Sequence, residues 1–185
     1  MRITNNLLSM VVATKLKGLF ITGLFIIPLL SCDVEEVPEM DDVPPEFTLN
    51  IQGAGINQTF TPRDNFEEIQ LNLLEGTTYD FTFLGADAGG VEQLVLVAPW
   101  QSVDFANLPS DVQRTEDGIV TTLIKEGDID NALTALSFSG EIQIIGVFQE
   151  SFTLNLEVHD FATPANSTYA ELQIKIVEDP DMVGL

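Results

Sequence analysis

The chain of 185 residues reads as an all-β sandwich. Apolar and polar residues alternate at period two in several separate runs, which is the signature of strands with one dry face and one wet face. Glycine- and proline-bearing turn signals separate those runs at short intervals. Helical periodicity is confined to one stretch near residue 130.

The elements follow in order. Phe47, Leu49 and Ile51 alternate with Thr48 and Asn50. Ile69, Leu71 and Leu73 alternate with Gln70 and Asn72, and Tyr79, Phe81 and Phe83 alternate with Asp80 and Thr82. Phe152 to Val158 and Ala170 to Ile176 repeat the pattern. Leu94 to Val97 and Ile142 to Phe148 are more continuously apolar, as expected of central strands, and Ile119 to Ile124 is a further candidate. The turns are Gly53-Ala54-Gly55, Glu75-Gly76, Ala88-Gly89-Gly90, Asp117-Gly118, Ser139-Gly140 and Thr163-Pro164. About seven or eight strands at such spacing predict a sandwich. One short helix is expected, with Asp128 as its cap and Ile129, Ala132, Leu133 and Leu136 on one face. A helical turn is also expected within Ser102 to Leu108.

Two segments carry a resemblance. GADAGGVEQLVLV at 85–97 resembles the turn and third strand of bacterial Ig-like and polycystic-kidney-disease-type domains. LNLEVHDFATPANSTYAELQIKIVED at 154–179 resembles the last hairpin of Ig-like and cadherin-like domains. The resemblance implies an Ig-like antiparallel β-sandwich over residues 47–185. The cadherin calcium motifs are incomplete: Asp160 stands where one acid belongs, but the paired Asp-X-Asn-Asp and Asp-Arg-Glu elements are missing.

Ahead of the domain, Lys15 and Lys17 precede a mostly apolar run from Leu19 to Leu30, which ends at Ser31-Cys32. A cationic start, a short apolar core and a small residue before the cut are the parts of a secretory signal. The run is shorter than the ~20 residues a membrane span needs. Leu29-Leu30-Ser31-Cys32 resembles the lipobox of bacterial lipoproteins, which implies that Cys32 is lipidated after removal of a signal peptide at 1–31. The alternative is an ordinary cleaved signal with an incidental cysteine. Met10 is a second candidate start. Residues 32–46, with Pro38, Pro44 and Pro45 among many acids, read as an extended tether. Asp33, Glu35 and Glu36 resemble the export mark of surface lipoproteins in glycan-scavenging Gram-negative bacteria. The expected address is therefore the cell envelope, anchored to the outer membrane and exposed at the cell surface.

Composition narrows the partners. Removing residues 1–31 removes three of the seven bases and none of the 29 acids, leaving a net charge near −25 on 154 residues. Such a field repels nucleic acid and anionic lipid. Cys32 is the only cysteine, so the fold has no internal disulfide.

The chemistry of an active site is sparse. His159 is the only histidine, and Asp160 beside it on a strand points to the opposite face. No GxSxG nucleophile elbow occurs, and one histidine with one cysteine cannot build a zinc site. Gly85 to Gly90 lacks the lysine of a phosphate loop. A carboxylate pair for glycoside hydrolysis stays open among 29 acids and leaves a hydrolase as a remote alternative. Asp87, Asp128, Asp130 and Asp160 are the candidate ligands for a structural calcium, and solvated acids are the plainer reading. Trp100, on a loop after an apolar strand, and Phe105 are the candidate stacking residues for a glycan. The expected function is a lipid-anchored binding accessory for glycan or protein capture at the cell surface, with no catalysis. The competing reading is a structural or adhesive envelope protein with no small ligand.

If Cys32 is the anchor, Cys32→Ser is expected to release the protein from membranes or leave it unprocessed, and to abolish labelling by a fed radioactive fatty acid. Wild-type protein that is cleaved elsewhere and stays unlabelled would overturn the lipid assignment.

Overall fold

A computed structural model describes residues 42–146 and 150–185. The expected signal segment, Cys32, most of the expected tether and Phe148 lie outside these residues. Eleven strands are described. They are β1 (Glu46–Gly53), β2 (Ile56–Phe60), β3 (Gln70–Leu74), β4 (Thr78–Ala86), β5 (Val91–Pro99) and β6 (Val103–Ala106), then β7 (Val112–Asp117), β8 (Val120–Glu126), β9 (Ala135–Ile144), β10 (Ser151–Asp160) and β11 (Ser167–Val177). They form a five-stranded sheet in the order β2-β1-β4-β9-β6 and a six-stranded sheet in the order β3-β11-β10-β5-β8-β7. All pairs are antiparallel except β3 with β11.

The expected fold class, an Ig-like antiparallel β-sandwich, is the one the chain adopts, with more strands than the seven or eight read from the sequence. The added strands are β2, β6 and β7. In β7 the segment Val112–Asp117 is exposed after its first residue, so it shows no alternation. The helix expected from Asp128 to Leu136 does not form. Asp128 does cap a turn, with its carboxylate accepting from Asp130 N at 3.0 Å, but this 3₁₀ turn covers only Ile129–Asn131. Ile129 and Leu133 are exposed, and Leu136 reaches the core from β9 instead. One turn without a packed face is too short to sustain a helix. Ser102 to Leu108 likewise holds β6, not a helical turn.

The alternating residues meet between the sheets. Phe81, Leu96, Leu154, Leu156, Leu172 and Ile174 are all buried. On the five-stranded sheet, Phe81 and Phe83 each meet Phe138 edge-on, with ring centroids 5.8 and 5.9 Å apart. Such pairs add ~0.5–1.5 kcal/mol beyond their burial. Gly85 lets the two sheets approach closely. A Cβ there would stand 2.5 Å from Leu94 Cδ2 and 2.8 Å from Val158 Cγ1.

Polar ties close the margins. Tyr79 on β4 is fully buried, and its hydroxyl accepts from Leu74 N of β3 at 2.9 Å, joining the sheets. Gly184 pairs with Asn72 on the outer side of β3. Arg114 of β7 donates to Phe105 O of β6 at 2.7 Å and to Asp104 and Glu116 at 2.8 and 2.9 Å. It thereby bridges the sheets at their other margin.

Leu154→Ala and Leu172→Ala are each expected to lower stability by ~2–5 kcal/mol in denaturant melts, as core truncations do. Thr153→Ala and Gln173→Ala, whose side chains bond across the outer face at 3.0 Å, are expected to cost under ~1 kcal/mol. Equal losses from both sets would mean that the strand faces are reversed.

Candidate functional site

The two ends of the sandwich and its two outer faces are the surfaces open to a ligand. At one end the β4–β5 turn, the 127–134 loop and the 161–166 loop meet. They are bonded together by Val91 N to Leu133 O (3.0 Å), Gly127 N to Glu92 O (2.7 Å) and Phe161 N to Gly90 O (3.4 Å). All four candidate calcium ligands stand at this end, yet their carboxylates serve the loops. Asp160 is 1% exposed and accepts from Ala162 N, Asn166 N and Asn166 Nδ2 at 3.0, 2.8 and 2.7 Å. Asp87 is buried and accepts from Gly89 N at 2.7 Å. Asp128 holds Asp130 N, and Asp130 follows within the same turn. These are the short side chain-to-backbone bonds by which aspartate organises turns. Among the described residues, no group of three or more His, Cys, Asp or Glu side chains is placed to hold a metal ion. Glu92, Glu126 and Asp128 line an open depression beside Ile129 and Phe161.

His159 and Asp160 part company as strand geometry requires. Asp160 turns inward to its loop, while His159 faces outward, its Nε2 3.1 Å from Glu157 Oε1.

The candidate stacking residues also separate. Trp100 follows β5 at the opposite end and is 42% exposed, with its indole N–H donating to Gly118 O at 3.1 Å. Ile119 beside it is exposed on the tip of the β7–β8 hairpin. Phe105 lies in the core, its ring 5.8 Å from Phe81, and presents no surface to a sugar. The alternation that exposes Asp104 buries Phe105.

The outer faces differ from each other. That of the five-stranded sheet is made mostly of small polar and acidic side chains such as Thr48, Asn50, Thr82, Ser137 and Ser139, with Asp80 and Glu141, and a half-buried Leu84 between Thr48 and Ser137. That of the six-stranded sheet carries an apolar belt. Val95 lies opposite Ile124, Val97 opposite Thr122 and Pro99 opposite Val120, and each of these side chains is half-buried. The belt leads out to Ile119 and Trp100 at the sandwich end. On its other flank Val95 pairs with Glu157, which pairs with Tyr169, while Val97 pairs with Asn155, which pairs with Glu171. Tyr169 is 55% exposed. Its hydroxyl donates to Glu171 Oε1 at 2.6 Å and lies 3.2 Å from Asn155 Oδ1. Sequence reasoning passed over this face. Its one signal was the unbroken apolar run at Leu94–Val97, where strict alternation would put polar residues at 95 and 97.

The bond to Glu171 holds the proton on Tyr169, with burial and the charge of Glu157 adding to it, and pushes its pKa up to about 12. Burial also raises Tyr79, partly opposed by its bond to Leu74. The neutral hydroxyl of Tyr169 is the form the fold favours. Its contribution is complete below the ordinary tyrosine value of 10.0 and is lost as pH rises through about 12. A tyrosinate absorbance titration is therefore expected to show neither tyrosine ionising at the ordinary value while the protein stays folded. Glu171→Gln is expected to bring Tyr169 alone back toward it. An unchanged titration in that variant would remove Glu171 as the cause.

No known protein family and no curated protein matches the chain. Among solved structures it is similar to a non-cellulosomal cohesin from the hyperthermophilic archaeon Archaeoglobus fulgidus. That likeness has 14% identity and a TM-score of 0.37, and it covers 58% of this chain and 88% of the cohesin. It is also similar to ACE19, the collagen-binding subdomain of the Enterococcus faecalis surface protein ACE. There the identity is 10% and the TM-score 0.31, over 58% of this chain and 92% of the subdomain.

Proposed function

We propose that the chain is a non-catalytic binding module of the cell envelope that docks a protein partner on the outer face of its six-stranded sheet. One observation carries this reading: the belt of Val95, Val97, Val120 and Ile124 lies on a face that no other described strand covers. An unbroken apolar strand is the mark of a sheet buried on both sides. Here β5 is buried on one side only. Covering a half-exposed valine or isoleucine contributes on the order of 1 kcal/mol, so the belt is a standing source of association energy. An apolar surface with polar flanks suits a protein. A small ligand would need a concave site.

The adhesive reading belongs with this one, because an adhesin also engages its target through a surface. Glycan capture has less in its favour. Phe105 is in the core, and Trp100 and Tyr169 stand apart, one beyond the end of β5 and the other across β10 from Val95. Display at the surface is supported by the lipobox resemblance at Cys32 and by the acidic tether, which repels itself and the anionic envelope.

A photo-crosslinking amino acid placed at position 97, in intact cells, is expected to give a discrete protein adduct. The same amino acid at position 82, on the opposite face, is expected to give none. Adducts from 82 with none from 97 would move the docking face to the other sheet, and labelling by glycan alone would replace the protein partner.

A further inference from the structure

We infer that the partner meets this face with a cationic rim and seats a guanidinium or ammonium group over the Tyr169 ring, between Glu157 and Glu171. The inference rests on the docking face proposed above and adds the chemistry of what binds there.

The ring is presented in a fixed pose. Tyr169 is 55% exposed, but its hydroxyl is held by Glu171 at 2.6 Å beside Asn155. Little rotamer freedom is left to lose on contact. The flanking charges are both negative. Glu157 stands across the strand pair between the ring and Val95, and Glu171 follows two residues along β11 on the same face. Three of the described cations are engaged elsewhere, Arg63 with Glu46, Arg114 with Asp104 and Glu116, and Lys125 with Asp111; Lys175 stands on the same face of β11, beyond Glu171. The described ion partner of Glu157 is His159.

An electron-rich ring face between two carboxylates attracts a cation. Arginine and lysine also carry an apolar stem, which can lie along the adjoining valines while the head reaches the ring. The field of the whole chain points the same way. At a net charge of −22, a second copy is repelled and a basic surface is drawn in. The committed occupant is therefore a protein surface that combines an apolar centre with lysine or arginine at its edge.

The test uses the purified, isotope-labelled full chain with three short synthetic peptides: alternating arginine and valine, alternating glutamate and valine, and alternating arginine and serine. The arginine–valine peptide is expected to shift the amide resonances of Val95, Val97, Ile124 and Tyr169. It is expected to bind about tenfold tighter than either of the others. Glu157→Gln with Glu171→Gln, and separately Tyr169→Ala, are expected to remove that advantage while the melting temperature changes little. Val97→Lys is expected to abolish binding at the face. If the glutamate–valine peptide binds equally well, the cationic rim is wrong and the docking face stands. If arginine–serine binds equally well with shifts on both outer faces, the attraction is diffuse and the site is wrong. If Val97→Lys leaves arginine–valine binding intact, the docking face itself fails. Concentration-dependent dimerisation through Val97, seen by sedimentation, would make a second copy the occupant and overturn the inference.

Discussion

Two sheets pressed together across a dry interior are the constraint on which the rest of this domain depends. Leu94, Leu96, Leu154, Leu156, Leu172 and Ile174 from one sheet face Phe47, Phe81, Phe83, Phe138 and Ile142 from the other. With Cys32 the only cysteine, no disulfide relieves the packing of that duty. At Gly85, between the sheets, even a methyl group would collide with Leu94 and Val158. Interiors packed at this density are intolerant of small volume changes. The alternation of every core strand follows from that demand.

Polar chemistry is placed where the sheets would otherwise be open. The buried hydroxyl of Tyr79 takes up an edge N–H of β3, and Gly184 takes up another pair of groups on that strand. Arg114 does the same for a β6 carbonyl on the opposite margin. Exposed edges invite pairing with other chains, and these contacts blunt two of them. At the loop end, the carboxylates of Asp87 and Asp160 satisfy backbone N–H groups that the turns leave behind. Part of the acidity of this chain is therefore turn architecture.

The asymmetry of the outer faces links fold to function. Both sheets bury one side equally well, so the core is indifferent to what the other sides carry. One carries threonine, serine, asparagine and acids. The other carries valine and isoleucine beside an anchored tyrosine. Apolar side chains held half in water by a rigid sheet cost nothing further in backbone ordering when a partner covers them. Such a face can bind without a cleft, and the proposed role as a binding module rests on it.

The sequence by itself determined the class of fold and the identity of most core residues. Period-two alternation is a direct print of one-sided burial, and Phe81, Leu96, Leu154, Leu156, Leu172 and Ile174 were legible for that reason. That Asp160 and His159 point to opposite faces was legible from the same rule. Tertiary structure alone decided the rest. The segment 128–136 has the spacing of a helix, but Leu136 is drawn into β9, because pairing with β4 satisfies its backbone where an isolated turn cannot. Phe105 looked available because short β6 shows too little alternation to reveal its face. β7 left no apolar trace at all, since it is exposed beyond Val112. The proposed docking face was hidden for a further reason. A run such as Leu94–Val97 reads the same whether its second side is covered by the same chain or left for another. Only the strand order, which places β5 between β10 and β8 with no other described strand above them, separates the two.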